Sequence, residues 1–169
     1  MDLEVLNGLL RPKSIAIIGA SNTPGKIGYT VVKNLLESGY EGAIYPINPN
    51  DSEIQGLKAY KSVLDVPGEI DAAAVVVPAK IVSSVARECG EKGVKGLIVI
   101  ASGFSEVGRH DLEDEVVSIA HEYGTRVLGP NIVTDLAALP DGSQQQVMLI
   151  GGVLVVRALL ARHLIRTGR

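Results

Sequence analysis

Five short apolar runs, each set about one strand-plus-helix unit after the last, leave this chain few folds to choose from. They are Ile15-Ala16-Ile17-Ile18, Ala43-Ile44-Tyr45-Pro46-Ile47, Asp71 to Val77, Gly96 to Ala101 and Thr125-Arg126-Val127-Leu128. The third run, DAAAVVV, is stopped by Pro78, and the first is almost wholly β-branched, as strands covered on both faces are. Between the runs lie segments of helical period. Val31, Val32, Leu35 and Leu36 predict a helix closed at Ser38-Gly39, Ile81 to Cys89 one closed by Gly90 or Gly93, and about Asp111 to Tyr123 one ending at Gly124. A short helix is also expected around Tyr60 to Leu64, and another over Leu3 to Leu10. Strands alternating with helices mean an α/β fold, an open parallel sheet with helices on both faces joined by right-handed crossovers.

The first such unit, Ser14 to Tyr29, is the chain's best candidate for a ligand site. Gly19 stops the strand, Ser21-Asn22-Thr23-Pro24-Gly25 supplies turn chemistry and expected N-capping side chains, and Gly28 opens the helix. A strand, a glycine turn and the free N–H groups of a helix N-terminus suit a phosphate. In an open parallel sheet ligands lie beyond the carboxyl ends of the strands. All five ends carry glycine, proline or small polar residues: Gly19-Ala20-Ser21, Asn48-Pro49-Asn50, Pro78-Ala79-Lys80, Ser102-Gly103-Phe104 and Gly129-Pro130-Asn131. Singly these are ordinary loops; together on one edge they let a ligand approach the main chain closely.

Two tests count against a nicotinamide dinucleotide. The turn is longer than the G-x-G-x-x-G spacing, and the second strand closes in Asn48-Pro49-Asn50 rather than in an acid that would bind ribose hydroxyls. A net charge of −3 gives no electrostatic case for nucleic acid. Hydrophobic residues make up 46% and charged ones 21% of 169, a globular composition broken too often by charge to span a membrane. Cys89 is the single cysteine, expected as a small buried side chain on a helix; with no basic, apolar leader visible, the expected home is the cytoplasm. One cysteine and three scattered histidines lack metal-ligand spacing. No catalytic residue is expected: Ser102 has no paired base, and His110 and His121 read as exposed helix residues.

The ordered set GASNTPGKIGYTVVKNLL, YPINPN, EIQGLKAYKSVLDVPGEIDAAAVVVPA, GVKGLIVIASGFSEVG and RVLGPN resembles the N-terminal CoA-binding domain of NDP-forming acyl-CoA synthetases. These are the ADP-forming acetate–CoA ligases, relatives of the succinyl-CoA synthetase α subunit. The likeness runs from about Leu6 to Asn131 and implies a Rossmann-like domain with CoA or acyl-CoA across the strand ends. It implies that Gly19, Ala20 and Ser21 turn around the CoA phosphates with Lys26 as a phosphate partner. Asn48 and Pro49 would lie by the nucleotide end, and Val77, Pro78 and Ala79 would flank the ligand. Ser102, Gly103, Phe104 and Glu106, with Gly129, Pro130 and Asn131, would lie nearer the pantetheine arm.

Two departures qualify that likeness. The family commonly carries a lysine after the Asn-Pro pair, where this chain has Asn50, with Lys58 and Lys80 as candidate replacements. After Asn131 the resemblance stops, and the family's phosphohistidine domain and ATP-grasp part do not fit in the short stretch up to Arg169. The expected division is therefore residues 1–133 as the CoA-binding domain and 134–169 as a divergent tail. That tail carries +2 of charge, with an apolar helix expected over Val153 to Arg166 that packs on the sheet, a partner or a second copy; a membrane-surface helix is the alternative that its short length favours less. The readings then open are a part or remnant of a synthetase completed by other domains or subunits, a stand-alone CoA sensor or regulatory module, and an NAD(P)-binding oxidoreductase or redox sensor.

Overall fold

In a computed structural model, which describes residues 12–100 and 110–128, all five apolar runs are strands of one parallel sheet. The order of elements is β1 (Ser14–Ile18), α1 (Ile27–Glu37), β2 (Ala43–Ile47), β3 (Glu53–Ile54), β4 (Leu57–Lys58), β5 (Ala72–Val75), α2 (Ala79–Lys92), β6 (Gly96–Val99), α3 (His110–Glu122) and β7 (Arg126–Leu128). The large sheet runs β2-β1-β5-β6-β7, while β3 and β4 form a separate two-stranded hairpin. Register is uniform: Ile15 lies beside Ile44 and Ala72, and Ala72 beside Gly96.

Both faces of the sheet are covered, so the central strands are buried along their whole length. Ile15, Ile17, Ala72, Ala74 and Ile98 meet Val31, Val32 and Leu35 of α1 on one face. Ala16, Ile18, Ala73, Val75, Leu97 and Val99 meet α2 and α3 on the other, through Val82, Ala86, Cys89, Val116 and Ile119. Successive strand residues point to opposite faces, so one continuous apolar run feeds two cores. The chain leaves β1 for one face and β5 for the other. The gap between β1 and β5 is thus the topological switch point, where an open sheet has its crevice.

Some expectations are corrected. Leu36 is 43% exposed at the margin of the α1 stripe. Tyr60 is extended, bridging in parallel to Ile47, and the expected helix shrinks to a single 3-10 turn, Val63–Asp65, capped by Ser62. It is Gly93, left-handed at φ 77°, that ends α2, whereas Gly90 lies within the helix against the ring of Tyr123. The helix over Leu3 to Leu10, the tail and the side chain of His110 lie outside the described residues; His121 is exposed on α3. No helix among the described residues is long and apolar enough to cross a membrane. Nor do those residues hold a group of three or more His, Cys, Asp or Glu placed for a metal.

Candidate functional site

Gly19 leaves β1 with φ +91°, a backbone conformation that L side chains rarely adopt. A Cβ there would come within 2.6 Å of the Val76 carbonyl oxygen and 3.0 Å of Val77 Cγ1, across the switch point. A Cβ on Gly28 would collide with the Gly19 carbonyl oxygen. The two glycines therefore let the start of α1 lie directly against the β1 turn, the close helix–strand approach a phosphate turn requires. Val31, Val32 and Leu35, in turn, hold the helix down on the sheet.

The turn itself differs from the expectation in one respect. The Ser21 hydroxyl accepts the Thr23 N–H at 3.0 Å and is buried, so it closes the turn instead of capping the helix. The residue at the N-cap of α1 is Lys26, and no side chain caps that end. The first turn carries no acid. The positive end of α1 and the exposed Lys26 thus face a cleft of about 460 Å³, lined by Gly19, Gly25 to Gly28, Val76 to Pro78 and Ile100.

A second cleft, of about 290 Å³, lies on the other side of Gly19 and Val77, which line both. Its walls are the end of β2 (Ile47 to Asn50), the segment Lys61 to Val63, and Ile81, Val85 and Glu88 of α2. Asn48 builds the floor: its side-chain N–H donates to the Ala20 carbonyl at 2.8 Å, and its oxygen accepts the Asn50 N–H at 2.8 Å. Gly19 N–H donates to the Ile47 carbonyl at 3.1 Å, tying the ends of β1 and β2 together. Ser62 Oγ donates to Glu88 Oε2 at 2.7 Å at the far wall.

The structure brings together Gly19, Ala20, Lys26, Asn48, Pro49, Val77 and Pro78 at this edge, with Ser21 and Ala79 beside them. Ala20 and Ala79 turn their methyl groups into the cores, so only their backbone faces outward. Ser102, Gly103, Phe104, Glu106, Gly129, Pro130 and Asn131 lie outside the described residues. Of the two replacement cations, neither lines either of these two clefts. Lys58 sits over the Tyr60 ring, 5.0 Å from its centroid, and Lys80 is exposed on α2. The cation beside Asn48-Pro49-Asn50 is Lys61, which sequence reasoning missed.

Also missed was the β3–β4 hairpin, which grips the glycine turn. Asn22 accepts the Gln55 N–H at 3.0 Å and donates to the Glu53 carbonyl at 2.8 Å. Gln55, held at φ 51°, donates to the carbonyls of Tyr29 at 2.9 Å and Ser21 at 3.4 Å. Cys89 is fully buried on α2, and burial first, then the Glu88 charge, pushes its thiol up to about 12. It remains a protonated core side chain at neutral pH, as expected for it.

Residues 13–134 match the CoA-binding domain family. The chain belongs to that family. The α subunit of acetate–CoA ligase (ADP-forming) I from Pyrococcus furiosus is 53% identical over 133 residues, covering 75% of this chain and 29% of that protein. A solved structure of the dinucleotide-forming acetyl-coenzyme A synthetase 1 from Candidatus Korarchaeum cryptofilum, in complex with phosphate and ADP, superposes with a TM-score of 0.74 at 51% identity. It covers 76% of this chain and 28% of that one. The chain thus spans under a third of the length of these synthetases. A conserved hypothetical protein from Pyrococcus furiosus is 38% identical with a TM-score of 0.53, over 69% of this chain and 92% of that smaller one. The resemblance to ADP-forming acyl-CoA synthetases and the Rossmann-like α/β fold are therefore shown.

Proposed function

We propose that this CoA-binding domain takes CoA or an acyl-CoA across the switch point between β1 and β5. The observation that carries the reading is the pair of clefts sharing Gly19 and Val77, one beside Lys26 and the other beside Lys61. CoA is long, with a phosphorylated nucleotide at one end and a flexible pantetheine arm at the other. Two joined clefts with backbone at their junction and a cation in each suit such a shape. Phosphate oxygens would meet the α1 N-terminus and Lys26. We assign the pantetheine arm to Ser102, Gly103, Phe104 and Glu106 and to Gly129, Pro130 and Asn131, which come after β6 and β7 in the chain.

In the larger setting the domain serves as the CoA-holding part of an ADP-forming acyl-CoA synthetase, which converts acyl-CoA, ADP and phosphate to acid, CoA and ATP. The acyl transfer and nucleotide chemistry belong to other domains or subunits. The length shared with the α subunit of the Pyrococcus furiosus ligase supports this reading. A stand-alone CoA module is the second reading, favoured by the smaller Pyrococcus furiosus protein, which is matched over nearly its whole length.

Ligand-dependent melting tests the first claim. A ligand at 100 times its Kd stabilises the folded state by about 2.7 kcal/mol. CoA or acetyl-CoA should raise the melting temperature more than NADH or NADPH at equal concentration. A larger shift with a nicotinamide cofactor overturns the CoA reading. ATP formation from acetyl-CoA, ADP and phosphate by the isolated chain would overturn its role as a part.

A further inference from the structure

The cleft beside β2 carries one cation among its described lining residues, and we propose that this cation, Lys61, reads a ribose phosphate and so selects CoA over its 3′-dephospho form. The proposal rests on the CoA reading above. In doubly wound sheets the ribose of a bound nucleotide lies by the end of the second strand. An acid there holds the ribose hydroxyls, and a basic residue in its place accommodates a ribose phosphate.

This chain has the second arrangement. Strand β2 closes in Asn48, with no carboxylate, and Asn48 already spends its amide on the Ala20 carbonyl and the Asn50 N–H. Lys61 is brought to the same place by a tertiary contact. Tyr60 N–H donates to the Pro46 carbonyl and Asn48 N–H to the Tyr60 carbonyl, both at 2.9 Å, so the next residue opens into the cleft at the strand end. Lys61 is exposed and makes no ion pair or hydrogen bond among the described residues, whereas Lys95 pairs with Asp71 and Lys33 with Glu37. The one carboxylate of the lining, Glu88, is held by Ser62 and does not pair with Lys61. A free ammonium is therefore available to a dianionic phosphate, and a nucleotide without that phosphate gains nothing from it.

Isothermal titration with CoA and with dephospho-CoA decides the matter, on the full chain and on its Lys61→Gln, Lys61→Arg and Lys80→Gln variants. The wild-type protein should bind CoA about tenfold more tightly than dephospho-CoA, the span of one charge-assisted hydrogen bond. Lys61→Gln should erase that ratio by weakening CoA alone, Lys61→Arg should restore most of it, and Lys80→Gln should leave it unchanged. Equal binding of the two ligands by the wild-type protein overturns the assignment and leaves the CoA reading intact. A Lys61→Gln variant that weakens both ligands alike, with an unchanged melting temperature, also overturns it, since the lysine then serves the shared diphosphate. Binding of neither ligand by the wild-type protein overturns both readings.

Discussion

The two ends of the sheet treat charge in opposite ways. At the amino end the polar groups are spent on one another. Asp71 accepts the Lys95 ammonium at 2.7 Å and the Lys13 N–H at 2.8 Å, while Ser14 Oγ accepts the Asp71 N–H and donates to the Glu69 carbonyl. Tyr40 donates to the Pro12 carbonyl at 2.8 Å, and burial, then the nearby Asp71 charge, pushes its phenol up to about 12. At the carboxyl end Lys26 and Lys61 have no ion-pair partner among the described residues, and the glycines hold the backbone bare. Residues of similar polarity thus have separate uses: one end holds the sheet, and the other leaves its cations and backbone open for the proposed ligand.

The largest test of that division is Gly28→Ala. Its methyl group would run into the Gly19 carbonyl, so α1 must lift from the turn. We expect a loss of about 2–3 kcal/mol in stability, the cost of overpacking at a site with no room, together with loss of CoA binding. Urea unfolding and titration with CoA measure the two effects. A variant that keeps wild-type affinity would show that close approach of α1 is not needed for the ligand.

Asp71→Asn is the converse, at the amino end. It should cost about 2 kcal/mol, for a charge-assisted pair lost at a largely covered carboxylate, and leave the Kd for CoA unchanged. Acid unfolding sharpens the point. Burial would raise the Asp71 carboxyl, but the Lys95 ammonium and the Lys13 N–H outweigh it and hold it below its ordinary 3.8. The unfolded chain then takes up the proton first, so this stabilisation is complete above that value and is lost as pH falls below it. The variant should show a shallower loss of stability below about pH 4.

The sheet was legible because its signal is local. Each run of Ile, Ala and Val needs burial on both faces, and all five became strands, with the three longer expected helices following the first, third and fourth runs. The glycine turn was legible for the same reason, since Gly19 and Gly28 answer to backbone needs visible within one βα unit. Lys61 was not, because its place depends on Tyr60 bridging to Ile47, a contact between segments that no period announces. The β3–β4 hairpin escaped notice because its strands have two residues each and only Ile54 is buried. The capping expectation failed because Ser21 used its oxygen on Thr23, closer in sequence than the helix.

The smallest effect belongs to Gln55, which joins the missed hairpin to the glycine turn. Its side-chain amide donates to the carbonyls of Tyr29 and Ser21, and its N–H to Asn22, so hairpin and turn move as one. Gln55 lines neither of the two clefts, and its influence on the ligand would pass through the turn. Gln55→Gly relieves the left-handed backbone at φ 51° while removing the amide, so lost side-chain bonds and relieved strain nearly offset in stability. We expect CoA affinity to fall about fivefold, or about 1 kcal/mol, from the freedom the turn regains, with less than a degree or two of change in the melting temperature. Gln55→Asn, tolerant of the same φ but too short to reach Tyr29, should weaken CoA to a similar extent. If both variants bind CoA as the wild type does, the turn is held by Gly19 and Gly28 alone, and the carboxyl end owes its shape to packing rather than to the hairpin that grips it.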